Sequence, residues 1–233
     1  MKPGFLFVET AMDMTAVTQL LGDALPLMLK GAAWTLLLAV ASVFFGAIIG
    51  TFVAITRLAK MPGLARFAAL YVSCMRGTPL LVQLFVIYFG LPSIGIQFDP
   101  ITAGILGLSL NVGAYLSETI RGAINGVEHG QWNAARSLGL TQAQTLRHVI
   151  GPQALRLAVP SLSNSLISLI KDTSLVSVIA VGELMLATKE VIATTFQPFP
   201  LYLAAAAIYW AMSASFETLQ KKLEVRLNRS YLR

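Results

Sequence analysis

Between Leu25 and Thr56 the chain carries one charged residue, Lys30, among apolar, small and hydroxyl side chains. Crossing a bilayer takes about 20 mostly apolar residues, so this run alone points to a fold built in lipid. Lys30 sits near its start, where a long stem can lie on apolar surface while the ammonium reaches the interface. Four more runs of spanning length follow, at about 67–89, 101–120, 159–181 and 200–216. Apolar residues make up 56% of the sequence and charged residues 12%, with a mean hydropathy of +0.71, outside the balance of a soluble domain. The expectation is an all-α membrane protein of about five transmembrane helices. With no internal duplication or linker, residues 1–233 read as a single domain.

The formal net charge is +6, but the basic residues are not gathered on one soluble segment, which argues against a nucleic-acid partner. Their placement instead orients the chain. Arg57, Lys60 and Arg66 follow the first run; Arg121, Arg136, Arg147 and Arg156 fall in or beside the central polar stretch; Lys221, Lys222, Arg226, Arg229 and Arg233 fill the tail. The other side holds Lys2, Lys30 and Lys189. Positive charge collects on the cytoplasmic face, so the N-terminus is expected outside and the C-terminus inside, as an odd number of spans requires. The apolar residues Phe5 to Val8 are followed by Glu9 and Asp13, unlike a cleavable signal peptide. Cys74, alone in its type, excludes a disulfide framework and reads as a small buried hydrophobe.

The central polar stretch, about 125–158, reads as two short helices joined at Gly139. Val127, Ala134 and Leu138 share one side of the first, with Glu128, Gln131 and Arg136 largely elsewhere. Gly139 stands where a helix end calls for a left-handed residue. Thr141 through Gln144 then fits a capping box that starts a second helix, whose polar face carries Gln144, Arg147 and His148. In the first span, Gly46-Ala-Ile-Ile-Gly50 is a small-xxx-small pattern that lets another helix approach closely. Pro79, inside the second, removes a backbone hydrogen bond and predicts a kink facing the protein interior. Residues 90–100 suit a tight external loop, and part of 182–199 suits a short helix at the outer surface.

The central stretch resembles the cytoplasmic "EAA" loop of membrane subunits of ATP-binding-cassette importers. That pattern runs Glu-Ala-Ala, three residues, Gly, nine residues, Ile-x-Leu-Pro. The matching residues are Asn133-Ala134-Ala135, Gly139, Val149 and Gly151-Pro152, so the spacing is kept while Asn133 replaces the Glu, Val149 the Ile and Gly151 the Leu. Three further stretches, Arg76 to Gln83, Ala114 to Gly122 and Lys171 to Leu175, are similar to the polar amino-acid (histidine/glutamine/glutamate-type) permease branch of these importers. The resemblance implies a type I importer permease fold with a cytoplasmic coupling loop, in the bacterial cytoplasmic (inner) membrane. It implies a second permease subunit, identical or sister, a dimer of ATPases docked inside, an external amino-acid-binding protein, and a polar amino-acid substrate moved inward. ATP and Mg would be bound by the ATPase, with no cofactor on this chain. Asn133, Ala134, Ala135, Gly139 and Arg147 would then couple to the ATPase.

Direct catalysis has little material. The sequence has no phosphate loop, no Gly-Lys dipeptide and neither His-Glu-x-x-His nor Gly-x-Ser-x-Gly. Its two histidines, His129 and His148, lie in the central stretch, where polar surface is the ordinary reading; neither an enzyme nor a metal centre is expected. The polar residues inside the spans are another matter. A charge facing lipid costs roughly 2.5 kcal/mol or more, so Arg76, Gln83, Asn111, Glu118, Lys171 and Asp172 should face one another or a wet path. With straight helices, Arg76, Lys171 and Asp172 come to similar depth. They either pair structurally, for instance Arg76 with Asp172, or hold the carboxylate and amino group of a zwitterionic substrate. A secondary transporter or channel without an ATPase is the alternative function.

Overall fold

A computed structural model of the protein describes residues 14–59 and 61–228; Lys2, the run from Phe5, Glu9, Asp13, Lys60, Arg229 and Arg233 lie outside the described residues. Among the described residues the regular structure is helical, without a strand. Its spine is a pair of long helices, α1 (Met14–Leu58) and α4 (Pro100–Asn125). Asp99 caps α4, its carboxylate accepting the N–H groups of Ile101 and Thr102 at 3.1 Å each, with Pro100 at the first helical position. The Thr102 hydroxyl and N–H hold this exposed carboxyl below the usual range. The small-xxx-small pattern of α1 meets α4 directly. A Cβ on Gly50 would lie 2.8 Å from the Gly113 carbonyl oxygen, and one on Gly46 would collide with Val112. Backbone therefore approaches backbone where any side chain would wedge the pair apart.

The second span is not one kinked helix. α2 (Leu64–Gly77) and α3 (Leu80–Phe85) meet at 109° across Thr78 and Pro79, and α3 runs on through a wide turn, Val86–Gly90, and a 3-10 turn, Leu91–Ile94. Thr78 is extended, as a residue before proline prefers to be. The break leaves carbonyls of α2 without helical partners, and side chains take them up. Gln83 Nε2 donates to Met75 O at 2.9 Å and Thr78 O at 3.1 Å, and Thr78 Oγ1 donates to Cys74 O at 2.8 Å. α2 buries only Ala68 and Val72, and its Cys74 is exposed. The expected burial of this thiol fails for a physical reason: a helix flank facing lipid is as apolar as a core, so apolar sequence does not imply burial within the protein.

After α4 come α5 (His129–Ser137), α6 (Gln142–Gln144), a wide-turn segment Thr145–Ile150 and α7 (Gly151–Asp172), which ends in a 3-10 run, Thr173–Ile179. Helix thus continues from Gln142 through the point near Val159 where the fourth span was expected to begin. Pro152 has no N–H to offer His148, and the preceding segment widens to the i→i+5 pattern. α8 (Leu184–Thr195) and α9 (Pro198–Asn228) complete the chain. Among the described residues three helices are both long and apolar enough to cross a membrane, α1, α4 and α9, or four if the bent α2–α3 pair is one span. α7 is long enough, with 22 residues, but carries Arg156, Asn164 and several serines and does not match their apolarity. The segment 182–199 forms α8, as a short helix there was expected to, but packs α8 between α1 and α9. Its Lys189 donates to Ser177 Oγ at 3.0 Å rather than standing free.

Candidate functional site

A cavity of about 430 Å³ opens between the α2–α3 break, α4 and α7. Thr78, Pro79 and Leu80 come from the break, Asn111, Val112 and Tyr115 from α4, and Asn164, Ser165, Ser168, Leu169 and Asp172 from α7. The 109° bend makes this possible, because it turns the Thr78–Pro79 backbone toward the cavity. Asn111 supports the bend from across the gap: its Nδ2 donates to Gln83 Oε1 at 3.0 Å and Met75 O at 3.3 Å. α7 presents its hydroxyl and amide side chains here, which explains why it is too polar to resemble a lipid-facing span.

The six residues singled out as a possible path separate into distinct places. Asn111 and Asp172 line the cavity. Gln83 is buried behind it, its amide engaged at the helix break. Arg76 stacks on the Tyr115 ring, 5.3 Å from its centroid, so it stands beside a lining residue. Lys171 is exposed and outside the lining. Glu118 is committed elsewhere, paired with Arg57 of α1 and with Arg121 one turn on at 2.6 Å. The Arg76–Asp172 pair, an example of the structural alternative, is not among the ion pairs of the described residues. Arg76 is engaged with the Tyr115 ring while Asp172 lines the same cavity from α7, so the two share a neighbourhood without pairing.

One acid escaped notice in the sequence. Glu183 is fully buried and caps α8, its Oε1 accepting from Leu186 N at 3.0 Å. Its Oε2 accepts from the Tyr209 hydroxyl at 2.6 Å and from Thr35 Oγ1 at 3.2 Å, while Thr35 Oγ1 also accepts from Leu184 N at 3.3 Å. The cluster ties α1, α8 and α9 together. A Glu just before a helix, followed three residues on by an apolar position, was the available signal; the partners far away in sequence gave none.

The hairpin of α5 and α6 closes as its residues dictate. Gly139 has φ +74°, Gly139 N donates to Arg136 O at 2.9 Å, and Leu140 N donates to Ala135 O at 3.1 Å, the Schellman arrangement. Thr141 and Gln144 make both bonds of the capping box, at 2.9 and 3.3 Å. Ala135 is buried within the hairpin itself, Asn133, Ala134 and Arg147 are exposed, and Leu138 stands 80% exposed at the tip. Ile150, Ala154 and Val127 anchor the hairpin to the end of α4 through Ala123.

Residues 58–229 match the family described as binding-protein-dependent transport system inner membrane components. The chain belongs to that family. A probable amino-acid ABC transporter permease of Bacillus subtilis (strain 168), YckA, is 44% identical over 207 residues, 89% of this chain and 92% of its own length. TcyB, an L-cystine transport system permease of the same organism, is 43% identical over 205 residues, 88% of each chain. A crystal structure of an amino acid ABC transporter with histidines superposes with a TM-score of 0.85 at 37% identity, covering 88% of this chain and 96% of its own. This permease therefore has the type I importer fold and is the membrane subunit of an amino-acid ABC transporter. Catalysis is not the part such a subunit plays.

Proposed function

We infer that the permease carries a polar amino acid inward, driven by ATP hydrolysis on a separate ATPase pair docked at the hairpin, with Mg-ATP bound there and not on this chain. An external binding protein delivers the substrate, and a second permease subunit faces the first. The observation that carries this reading is the state of the three acids in the apolar body. Glu118 is satisfied by two arginines and Glu183 by two hydroxyls and an N–H, whereas among the described residues no hydrogen bond or ion pair holds Asp172 in the cavity. Asp172 suits a substrate ammonium, with Arg76, stacked on the lining residue Tyr115, as a cation for the carboxylate. Asn111, Asn164, Ser165 and Ser168 supply polar contacts for a side chain. The volume falls in the range of small-molecule sites, and a cystine-transporting relative and a solved relative with histidines support the substrate class.

Docking at the hairpin is supported by the exposed Leu138 beside a turn held by a positive-φ glycine. The asymmetry of Lys and Arg supports a cytoplasmic hairpin and tail and an external N-terminus. In proteoliposomes holding permease, ATPase and binding protein, labelled glutamine or cystine should accumulate only with ATP on the ATPase side. Accumulation driven by an ion gradient without the ATPase would establish a secondary transporter instead. For orientation, a Gln131→Cys, Cys74→Ser variant should resist an impermeant thiol reagent in intact cells; labelling there would reverse the topology.

A further inference from the structure

A second, smaller cavity of about 140 Å³ lies inside the hairpin, lined by Trp132, Arg136, Leu140, Gln142 and Thr145. Thr145 is 2% exposed, and its hydroxyl has no hydrogen-bond partner. Other helical threonines in this chain, Thr188 and Thr218, return the hydroxyl to the carbonyl four residues back. Thr145 uses only its backbone N–H for that carbonyl, Thr141 O at 2.8 Å, leaving the hydroxyl for whatever enters the cavity. The rest of the lining is rich in donors: an Arg has five N–H groups and no acceptor, an indole has one donor and no acceptor, and an amide has two donors. Arg136 makes no ion pair among the described residues, with Glu128 at the start of α5 or any other acid.

We propose that this cavity is a socket for one carboxylate side chain, Asp or Glu, of the ATPase subunit. Guanidinium, hydroxyl and amide donors converge on an anionic acceptor, and a planar carboxylate matches the guanidinium fork. The space is below that of ordinary small-molecule sites, which excludes a nucleotide. A free amino acid would bring an ammonium to a site that lacks a carboxylate. Arg136 and Leu140 of its lining bracket Leu138 and Gly139 in the chain, so a protein docked on the tip would lie beside it. The proposal rests on the reading of the hairpin as the docking element and adds the chemistry of the contact.

The test measures the affinity of purified ATPase for the full permease in nanodiscs. Arg136→Glu should weaken binding at least tenfold, Thr145→Val several-fold, and Thr145→Ser, which keeps the hydroxyl, little. Among Asp→Arg and Glu→Arg variants across the ATPase surface that faces the hairpin, one should restore binding to the Arg136→Glu permease while weakening the unmodified one. If Leu138→Asp abolishes binding while Arg136→Glu and Thr145→Val stay within twofold, the hairpin docks but the socket is refuted. If all three stay within twofold, docking at the hairpin falls with it. If inorganic phosphate raises the melting temperature of the permease alone through Arg136 while ATPase affinity ignores Arg136→Glu, the cavity is a free-anion site and the proposal is overturned.

Discussion

Glu183 and Asp172 lie in the same apolar body and are built oppositely. Around Glu183 every donor is supplied from within: Thr35 from the first helix, Tyr209 from the last, and the N–H of Leu186. Asp172 faces an open cavity lined by amides and hydroxyls that leave it unbonded. A buried acid surrounded by its own donors holds helices together. On the transport reading, one left without them in a cavity is available to a molecule that arrives from outside. On that reading it is the state of their hydrogen-bonding capacity, and not burial alone, that separates structural acids from binding ones.

Substitutions can break or sharpen this contrast. Glu183→Ala has the largest expected effect, since it strands two buried hydroxyl donors and uncaps α8; loss of about 4 kcal/mol is expected, read as failure of the permease to accumulate or a steep fall in its melting temperature. Should that variant assemble and transport normally, Glu183 does not hold the helices. Glu118→Gln comes next. It removes the charge that two arginines share, at a cost of about 2 kcal/mol, and a double-mutant cycle with Arg57→Gln should return a coupling energy of the same order. Additivity of the two changes would show the pair to be energetically idle.

Asp172→Asn is the pivotal comparison. It keeps the shape of the side chain and should leave assembly and melting temperature intact while uptake drops at least tenfold, equivalent to about 1.4 kcal/mol. A destabilised complex would move Asp172 into the structural class of Glu183. The smallest effect is expected of Tyr209→Phe, about 1 kcal/mol of stability for one lost hydroxyl, with uptake per assembled complex unchanged.

What could be read in the sequence was what its neighbours in sequence determine. The turn at Gly139, the capping box of Thr141 and Gln144, the apolar helices and the close contact made by Gly46 and Gly50 depend on residues within one or two turns, or on one helix face. The sharp break at Thr78–Pro79 needed more. Proline foretold an interrupted ladder, but the angle is held by Gln83 and by Asn111 from another helix. The same limit hid Glu183, whose hydroxyl partner Thr35 is 148 positions away, and left the destination of Glu118 open, since Arg57 lies 61 positions before it. Straight-helix arithmetic put Arg76 and Asp172 at one depth, and both come to the cavity, but Arg76 lies against the Tyr115 ring, a partner on another helix that the sequence did not name.

The unbroken helical run from Gln142 to Asp172 has a mechanical consequence. It joins the hairpin to the cavity acid without a loop to absorb displacement. Taken as a straight rod at 1.5 Å per residue it would be about 45 Å long, and a tilt of about 5° at the hairpin would then sweep Asp172 through an arc of about 4 Å. That travel is longer than a hydrogen bond. The α1–α4 contact, packed backbone to backbone, leaves no such slack, so on the transport reading a tilt at the hairpin would move the Asp172 carboxylate relative to that spine.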